Sequence, residues 1–386
     1  MSIEASPTYN ADPPAPTPAS GNRAHYVFTT LYSLYFHLPS SFTITILNYA
    51  MSTAAKNQDQ SRPSANQLKH LYWQAKNPPK DPNTSYKGKT VLVTGANTGI
   101  GYHAAVKFAA LGASPLIIGV RTQEKGDATK ASIIRETGNE DIVIIPGDLS
   151  TFYAVESFVA KLNAQAPKLD VALLNAGLAM PSFTKGPGGY EIALQVNVLS
   201  TTLMALLILP KLRQTAATNG ASSHLTFTTS KGYQDVDESW FEPGQTLIGQ
   251  LNSEAGWSDQ RHYLMVKLAT MLALKGVASR YNDNQVVINA ACPGFCKTDL
   301  GRNFSLISKI MMSPIQYFVA RTAEQGSRSL VSATSLGPES TGKLWHDDEL
   351  LGASNLEDSA RGVELYRETW DEILTILREH ATSVDF

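Results

Sequence analysis

From residue 87 onward, short runs of consecutive apolar, often β-branched residues alternate with longer segments whose apolar positions recur at helical spacing. The runs predict strands at 90–93, 115–120, 141–146, 171–174, 225–229 and 286–291, with a short seventh at 342–344. The spaced segments predict helices near 101–111, 122–136, 151–165, 190–211, 261–280, 322–335 and 361–377. Strands that are apolar throughout are buried on both faces. Strand and helix in alternation is the pattern of a parallel sheet covered by helices on both sides. The expected fold class is α/β, a doubly wound seven-stranded parallel sheet forming a single domain over residues 87–386, without internal repeats.

Residues 1–86 follow a different pattern and are read as an N-terminal extension. Pro7, Pro13, Pro14, Pro16 and Pro18 among Ala, Ser and Thr read as disordered. Residues 26–51 are apolar and aromatic, with no acidic residue and no Lys or Arg, but His37, Pro39 and two serines interrupt them. A bilayer-spanning helix needs about 20 mostly apolar residues, and this stretch has the length without the purity. Three readings stay open: a membrane-associating segment, an ordered extension packed on the domain, and a leader outside the working protein, for which Met51-Ser52 offers a second start. Residues 57–85 read as a polar linker, in which His70, Leu71, Tyr72 and Trp73 could pack on the domain.

Composition narrows the function classes. Of 386 residues 43% are hydrophobic, enough for a substantial core, and a net charge of −2 provides no basic face for nucleic acid. Cys292 and Cys296 are the only cysteines, so no disulfide framework exists and the chain reads as cytoplasmic. A C-x-x-x-C pair without neighbouring histidines is a poor metal site, and no metal is expected.

Chemistry enters with the turn after the first strand, Thr94-Gly95-Ala96-Asn97-Thr98-Gly99-Ile100-Gly101. A strand, a glycine-rich turn and a helix begin a dinucleotide-binding Rossmann unit. Gly95 allows the tight turn, Gly99 lets the backbone approach a pyrophosphate, and Gly101 lets the helix pack closely. The free N–H groups and positive dipole end of the helix then face the phosphates, with Asn97, Thr98 and Ile100 in the same cradle. The second strand ends at Val120-Arg121, where an NAD site usually carries an acid for the ribose 2′-hydroxyl. A missing carboxylate and a planar guanidinium suited to a 2′-phosphate favour NADP over NAD. Asp148 ends the third strand, either accepting from the adenine amine or capping the next helix. Asn175 and Ala176 end the fourth, where small residues admit the adenine-ribose side.

Tyr263 and Lys267 stand at i, i+4 and so on one helix face. Tyrosine, with a free pKa near 10, is a poor acid-base group until a neighbouring ammonium lowers it. Ser230 closes the fifth strand, at the sheet edge where open α/β folds bind ligands. Asn197 lies within an apolar helical stretch, either as a satisfied buried amide or as the holder of a water beside Lys267.

These motifs in this order resemble the short-chain dehydrogenase/reductase family over roughly residues 87–377. The T-G-x-x-x-G-x-G turn, Asn175-Ala176-Gly177, Asn197, Ser230, the Y-x-x-x-K pair, and Asn289 with Pro293-Gly294 and Thr298 carry the likeness. Val120-Arg121 with Glu124-Lys125-Gly126, and Thr341-Gly342-Lys343, are similar to the retinol-dehydrogenase-like branch and its relatives in fungal secondary metabolism. The resemblance implies that Tyr263 exchanges a proton with the reacting oxygen, Ser230 hydrogen-bonds that oxygen, and Lys267 holds the nicotinamide ribose and depresses the Tyr263 pKa. It implies that Asn197 completes a water relay and that Pro293, Gly294 and Thr298 line the nicotinamide and pyrophosphate. It also implies pairing of two copies through the helices bearing Asn197 and Tyr263. Leu174 replaces a second asparagine of the family pattern. Ser230 and Tyr263 are 33 residues apart, a long insert holding Trp240, Phe241, Pro243 and Trp257. The apolar run 304–320, with Met311 and Met312, falls where the family places a substrate lid. The function expected is NADP-dependent interconversion of a carbonyl and an alcohol on a hydrophobic small molecule. The alternatives are a membrane-associated retinoid, steroid or lipid dehydrogenase, and a non-catalytic dinucleotide sensor.

Overall fold

A computed structural model describes residues 65–280, 284–298, 300, 304 and 319–381. The apolar segment 26–51 lies outside the described residues, as does nearly all of the 304–320 run, Met311 and Met312 included.

The sheet is built on β1 (Val91–Thr94), β2 (Leu116–Val120), β3 (Ile142–Pro146), β4 (Val171–Leu174), β5 (Ser223–Thr228), β6 (Val286–Ala291), β7 (Leu344–His346) and β8 (Glu349–Leu351). Their order is β3-β2-β1-β4-β5-β6-β7-β8. Seven strands run parallel, and β8 pairs antiparallel with β7. The sheet therefore has eight strands rather than the seven expected from the pattern. A three-residue strand returning through a two-residue turn is too short to show periodicity.

The helices are α1 (Ala65–Lys76), α2 (Gly99–Ala110), α3 (Gln123–Thr137), α4 (Phe152–Gln165), α5 (Ile192–Asn219), α6 (Leu247–Leu251), α7 (Asp259–Arg280), α8 (Ala323–Ala333) and α9 (Ala360–His380). Alternate residues of a strand face opposite sides, and β1 shows the consequence. Leu92 joins a core with α4, α5, α7 and α9, while Val91 and Val93 join a second core with α2, α3 and α8. Two apolar layers thus clamp the sheet. Helix α5 is long and apolar enough to cross a bilayer, at a mean hydropathy of 2.0, but 89% of that stretch is buried within the protein. It is the core helix of a three-layer domain.

Helix α1 occupies part of the segment that reads as a linker. Its contacts place Ser64–Phe386 in one compact unit. Buried Arg321 fixes it by donating from Nε to the Gln74 carbonyl at 3.0 Å and from an Nη to the Asn77 carbonyl at 3.1 Å. The sequence signal was weak because the anchor comes from a residue about 250 positions away.

Successive strands step outward from β1 to β3, then resume at β4 on the other side of β1. Such a switch point opens a crevice beyond the carboxyl ends of the strands.

Candidate active site

A cavity of about 330 Å³ opens at that switch point. Gly95, Asn97, Thr98, Gly99, Ile100, Gly101, Arg121, Asp148, Asn175, Ala176, Tyr263, Lys267, Pro293 and Thr298, all named from the sequence, line it. Gly294, Ser230 and Asn197 do not form its wall.

The turn is shaped for close approach. Gly95 has φ +67°, and a Cβ there would lie 2.9 Å from the Ala176 Cα. A Cβ on Gly101 would lie 2.3 Å from both the Gly95 carbonyl oxygen and the Asn175 amide nitrogen. Gly101 is thus required by the turn itself rather than by helix–sheet packing. Asn175 binds the same turn, donating through Nδ2 to the Thr94 carbonyl at 3.1 Å. The Thr94 hydroxyl accepts from the backbone of Asn175 and Ala176, both at 3.0 Å. Thr94 locks β1 to β4, a role that its place before Gly95 did not announce.

Helix α2 begins at Thr98 without a side-chain cap. Helices α3, α4, α8 and α9 are capped by Thr122, Thr151, Thr322 and Ser359. The uncapped N–H groups of α2 face the cavity and suit an anion. Exposed Arg121 sits at the rim. Asp148 accepts from the Ser150 backbone at 3.0 Å, and Thr151 is the cap of α4, so capping is not the Asp148 role.

At the far end Lys267 is buried and its Nζ lies 5.6 Å from the centre of the Tyr263 ring. Burial pushes the Tyr263 hydroxyl up to about 12, opposed by its hydrogen bond with Ser230. Burial brings Lys267 down to about 8. The expected depression of Tyr263 by Lys267 is absent, because the ammonium meets the ring face rather than the hydroxyl. Tyr263 is therefore protonated at neutral pH and able to act as a proton donor.

Asn197 sits in a π-helical stretch, Gln195–Ser200, that interrupts α5. Its side chain bonds Leu178 twice, accepting from the backbone N–H at 2.9 Å and donating to the carbonyl at 2.8 Å. The side chain is thus committed to bracing the segment after β4, and only its backbone carbonyl turns toward α7, accepting from the Thr270 hydroxyl at 3.4 Å.

The sequence marks Cys292 only as half of a C-x-x-x-C pair and gives no sign of its partner His346. Burial pushes the Cys292 thiol up, but its hydrogen bond with His346 and the N–H groups of Lys231 and Gly294 outweigh this and hold it below its ordinary value. His346 Nδ1 also faces the Cys292 carbonyl at 3.4 Å. Their 54-residue separation hides it from motif reading.

Residues 89–231 match the family described as short chain dehydrogenase. Short-chain dehydrogenase/reductase ffsI of Aspergillus flavipes is 41% identical over 327 residues, covering 84% of this chain and 96% of that protein. The chain belongs to the short-chain dehydrogenase/reductase family. Another relative of this dehydrogenase/reductase, phmF of Phaeosphaeria nodorum, is 37% identical, with 80% and 92% of the two chains covered. Among solved structures, the RhlG/NADP active-site complex of Pseudomonas aeruginosa matches with a TM-score of 0.53 at 21% identity, covering 69% of this chain and 97% of that one. L-sorbose reductase from Gluconobacter frateurii, solved with NADPH and L-sorbose, matches at 0.52 and 17% identity, covering 68% and 96%. Both likenesses speak for the fold. In this dehydrogenase/reductase Leu174, the departure from the family pattern, is a buried core residue at the end of β4.

Proposed function

We propose that this oxidoreductase uses NADP to interconvert a carbonyl and an alcohol on a hydrophobic small molecule, in fungal secondary metabolism. The observation that carries the reading is one cavity with an uncapped glycine turn and Arg121 at one end and Tyr263 with Lys267 at the other. The turn fits a dinucleotide because the volumes that a Cβ on Gly95 or Gly101 would take are occupied by backbone and the Asn175 amide, which draws the chain tight around the cradle. The α2 N-terminus holds the pyrophosphate and Arg121 pairs with the 2′-phosphate. When bound, the nicotinamide supplies or accepts the hydride.

The chain's own residues manage the proton. Tyr263, protonated at neutral pH, donates to the carbonyl oxygen in reduction and takes the proton back in oxidation. Ser230 hydrogen-bonds the same oxygen and fixes its position. Lys267, over the Tyr263 ring, would hold the nicotinamide ribose when the cofactor is bound. Asn197 holds the segment after β4 in place beside them. Phe183 and Trp257 stack edge to face with centroids 5.8 Å apart, and Trp240 packs on the core from the insert. Trp240 and Trp257 line a second, smaller pocket beside the start of α7 rather than the cavity itself.

Purified protein is expected to oxidise NADPH with lipophilic ketones. Tyr263→Phe should lower kcat by about 10²–10⁴, the usual share of a general acid, without loss of NADPH binding. Arg121→Ala should weaken NADPH binding by roughly tenfold or more while leaving NADH unchanged, as expected for a charge-assisted hydrogen bond. Full turnover in the Tyr263 variant would overturn the assignment.

A further inference from the structure

On the outer side of His346, away from the cavity, three side chains with metal-ligand chemistry converge. His70 on α1, and His346 and Asp347 at the end of β7, place their ligand atoms within 4.8 Å of one another. The Gln74 amide nitrogen, one turn after His70, sits among them. It lies 2.7 Å from Asp347 Oδ2, 2.8 Å from His346 Nε2 and 3.1 Å from His70 Nε2. An amide nitrogen carries two hydrogens. Three acceptors around it leave one unanswered, and Gln74 and His346 are buried. His346 Nε2 also lies 3.2 Å from Asp347 Oδ2, so two imidazoles, a carboxylate and the amide meet at one point, where either a proton on His346 or a cation answers the carboxylate.

The second layer of contacts has the form that metal ligands take. His346 Nδ1 faces the Cys292 carbonyl at 3.4 Å, and the tautomer that donates there turns the Nε2 lone pair toward the cluster. Asp347 Oδ1 is held by Arg321 at 2.6 Å, which leaves Oδ2 pointing inward. The backbone adds a separate observation. Asp347 and Asp348 form the β7–β8 turn with φ of +52° and +62°. Asn-Gly or Asp-Gly is the favoured pair in such a turn. Asp348 has a structural task, accepting from the Lys80 N–H at 2.8 Å. For Asp347, the strained backbone aims one carboxylate oxygen at Arg321 and the other at the histidines.

We propose that His70, His346 and Asp347 bind a divalent metal ion of the zinc class, with the Gln74 amide oxygen turned inward as a further ligand. Two imidazoles and one carboxylate suit zinc or a neighbouring first-row ion, whereas calcium and magnesium favour all-oxygen sites. The ion staples α1 to the β7–β8 hairpin. Exposed His70 leaves an entry path from solvent.

The test uses the full chain, stripped with chelator and then titrated with Co²⁺ as an optical probe and with Zn²⁺. One equivalent of Co²⁺ should bind with visible d–d absorption, Zn²⁺ should displace it, and Zn²⁺ should raise the melting temperature. His70→Ala alters an exposed position and should remain folded by circular dichroism. It should weaken Co²⁺ binding by at least about tenfold and abolish the Zn²⁺-dependent shift. Asp347→Asn, measured the same way, should lose the Co²⁺ spectrum. Equal Co²⁺ affinity in wild type and His70→Ala, or no uptake by wild type at micromolar metal, would overturn the site and leave Gln74 as a hydrogen-bonded bridge only.

Discussion

Two supports of the same cavity are built by opposite means. At the switch point, eight consecutive residues, Thr94–Gly101, make the turn and the start of α2. Beyond β6, the Pro293 loop rests on Cys292, His346, Asp347, Arg321 and α1, with Gln74 and Asp347 separated by 273 residues. The first support works through the absence of side chains, since Gly95 and Gly101 yield their space to backbone. The second works through charged and polar side chains that are wholly or largely buried, Arg321 the largest of them. The difference predicts how each fails. Damage to the turn should cost ligand binding before stability, and damage to the edge should cost stability first.

The largest effect is expected at the edge. Arg321 is fully enclosed, pairs with Asp347 at 2.6 Å and donates to the carbonyls of Gln74, Asn77 and Pro293. Arg321→Met leaves a carboxylate without its cation, the Gln74 and Asn77 carbonyls without this donor, and the Pro293 carbonyl with only the Cys296 thiol. Breaking a buried pair from one side costs ~3–5 kcal/mol. Urea unfolding in the presence of chelator should report a loss of that order, and α1 should become sensitive to protease. A loss below about 1 kcal/mol, the scale of a surface pair, would remove the distinction between the two supports.

At the turn, Gly101→Ala sets a methyl group 2.3 Å from the Gly95 carbonyl oxygen and the Asn175 amide. Relief requires the start of α2 to move away from β1. Overpacking of this kind costs ~1–3 kcal/mol. The phosphate cradle shifts with the helix, so NADPH binding followed by fluorescence should weaken further than stability does. A variant that melts early yet binds NADPH normally would reverse the expected order of failure.

The two supports also explain what was legible in the sequence. Contiguous chemistry was readable: the turn, Arg121, and the i, i+4 pair Tyr263 and Lys267 all lie on the cavity where spacing put them. Long parallel strands were readable because they are apolar on both faces. The β7–β8 hairpin was not, since three-residue strands carry no period, and α1 was not, since its anchor is Arg321. Electrostatics were the least legible. An i, i+4 Lys predicts a depressed tyrosine only if its ammonium reaches the hydroxyl, and Lys267 lies over the ring instead. Asn197 illustrates the same limit, because its π-helical setting and its two bonds to Leu178 arise from a loop 19 residues earlier.

The smallest expected effect separates stability from binding at one residue. Thr98 stands at the N-cap of α2 with φ −149° and ψ 164°, the extended backbone of a capping residue, yet its side chain caps nothing. Thr98→Asp should supply the missing acceptor to the N–H of Gly101 and favour the positive helix end, a gain of up to ~1 kcal/mol. The same carboxylate occupies the place where the pyrophosphate is held, so NADPH binding should fall even as the melting temperature rises. Opposite signs in calorimetry and in cofactor titration are the signature of a helix end left open for a ligand. If both quantities rise together, the phosphates lie elsewhere in the cavity and the uncapped turn has no part in holding them.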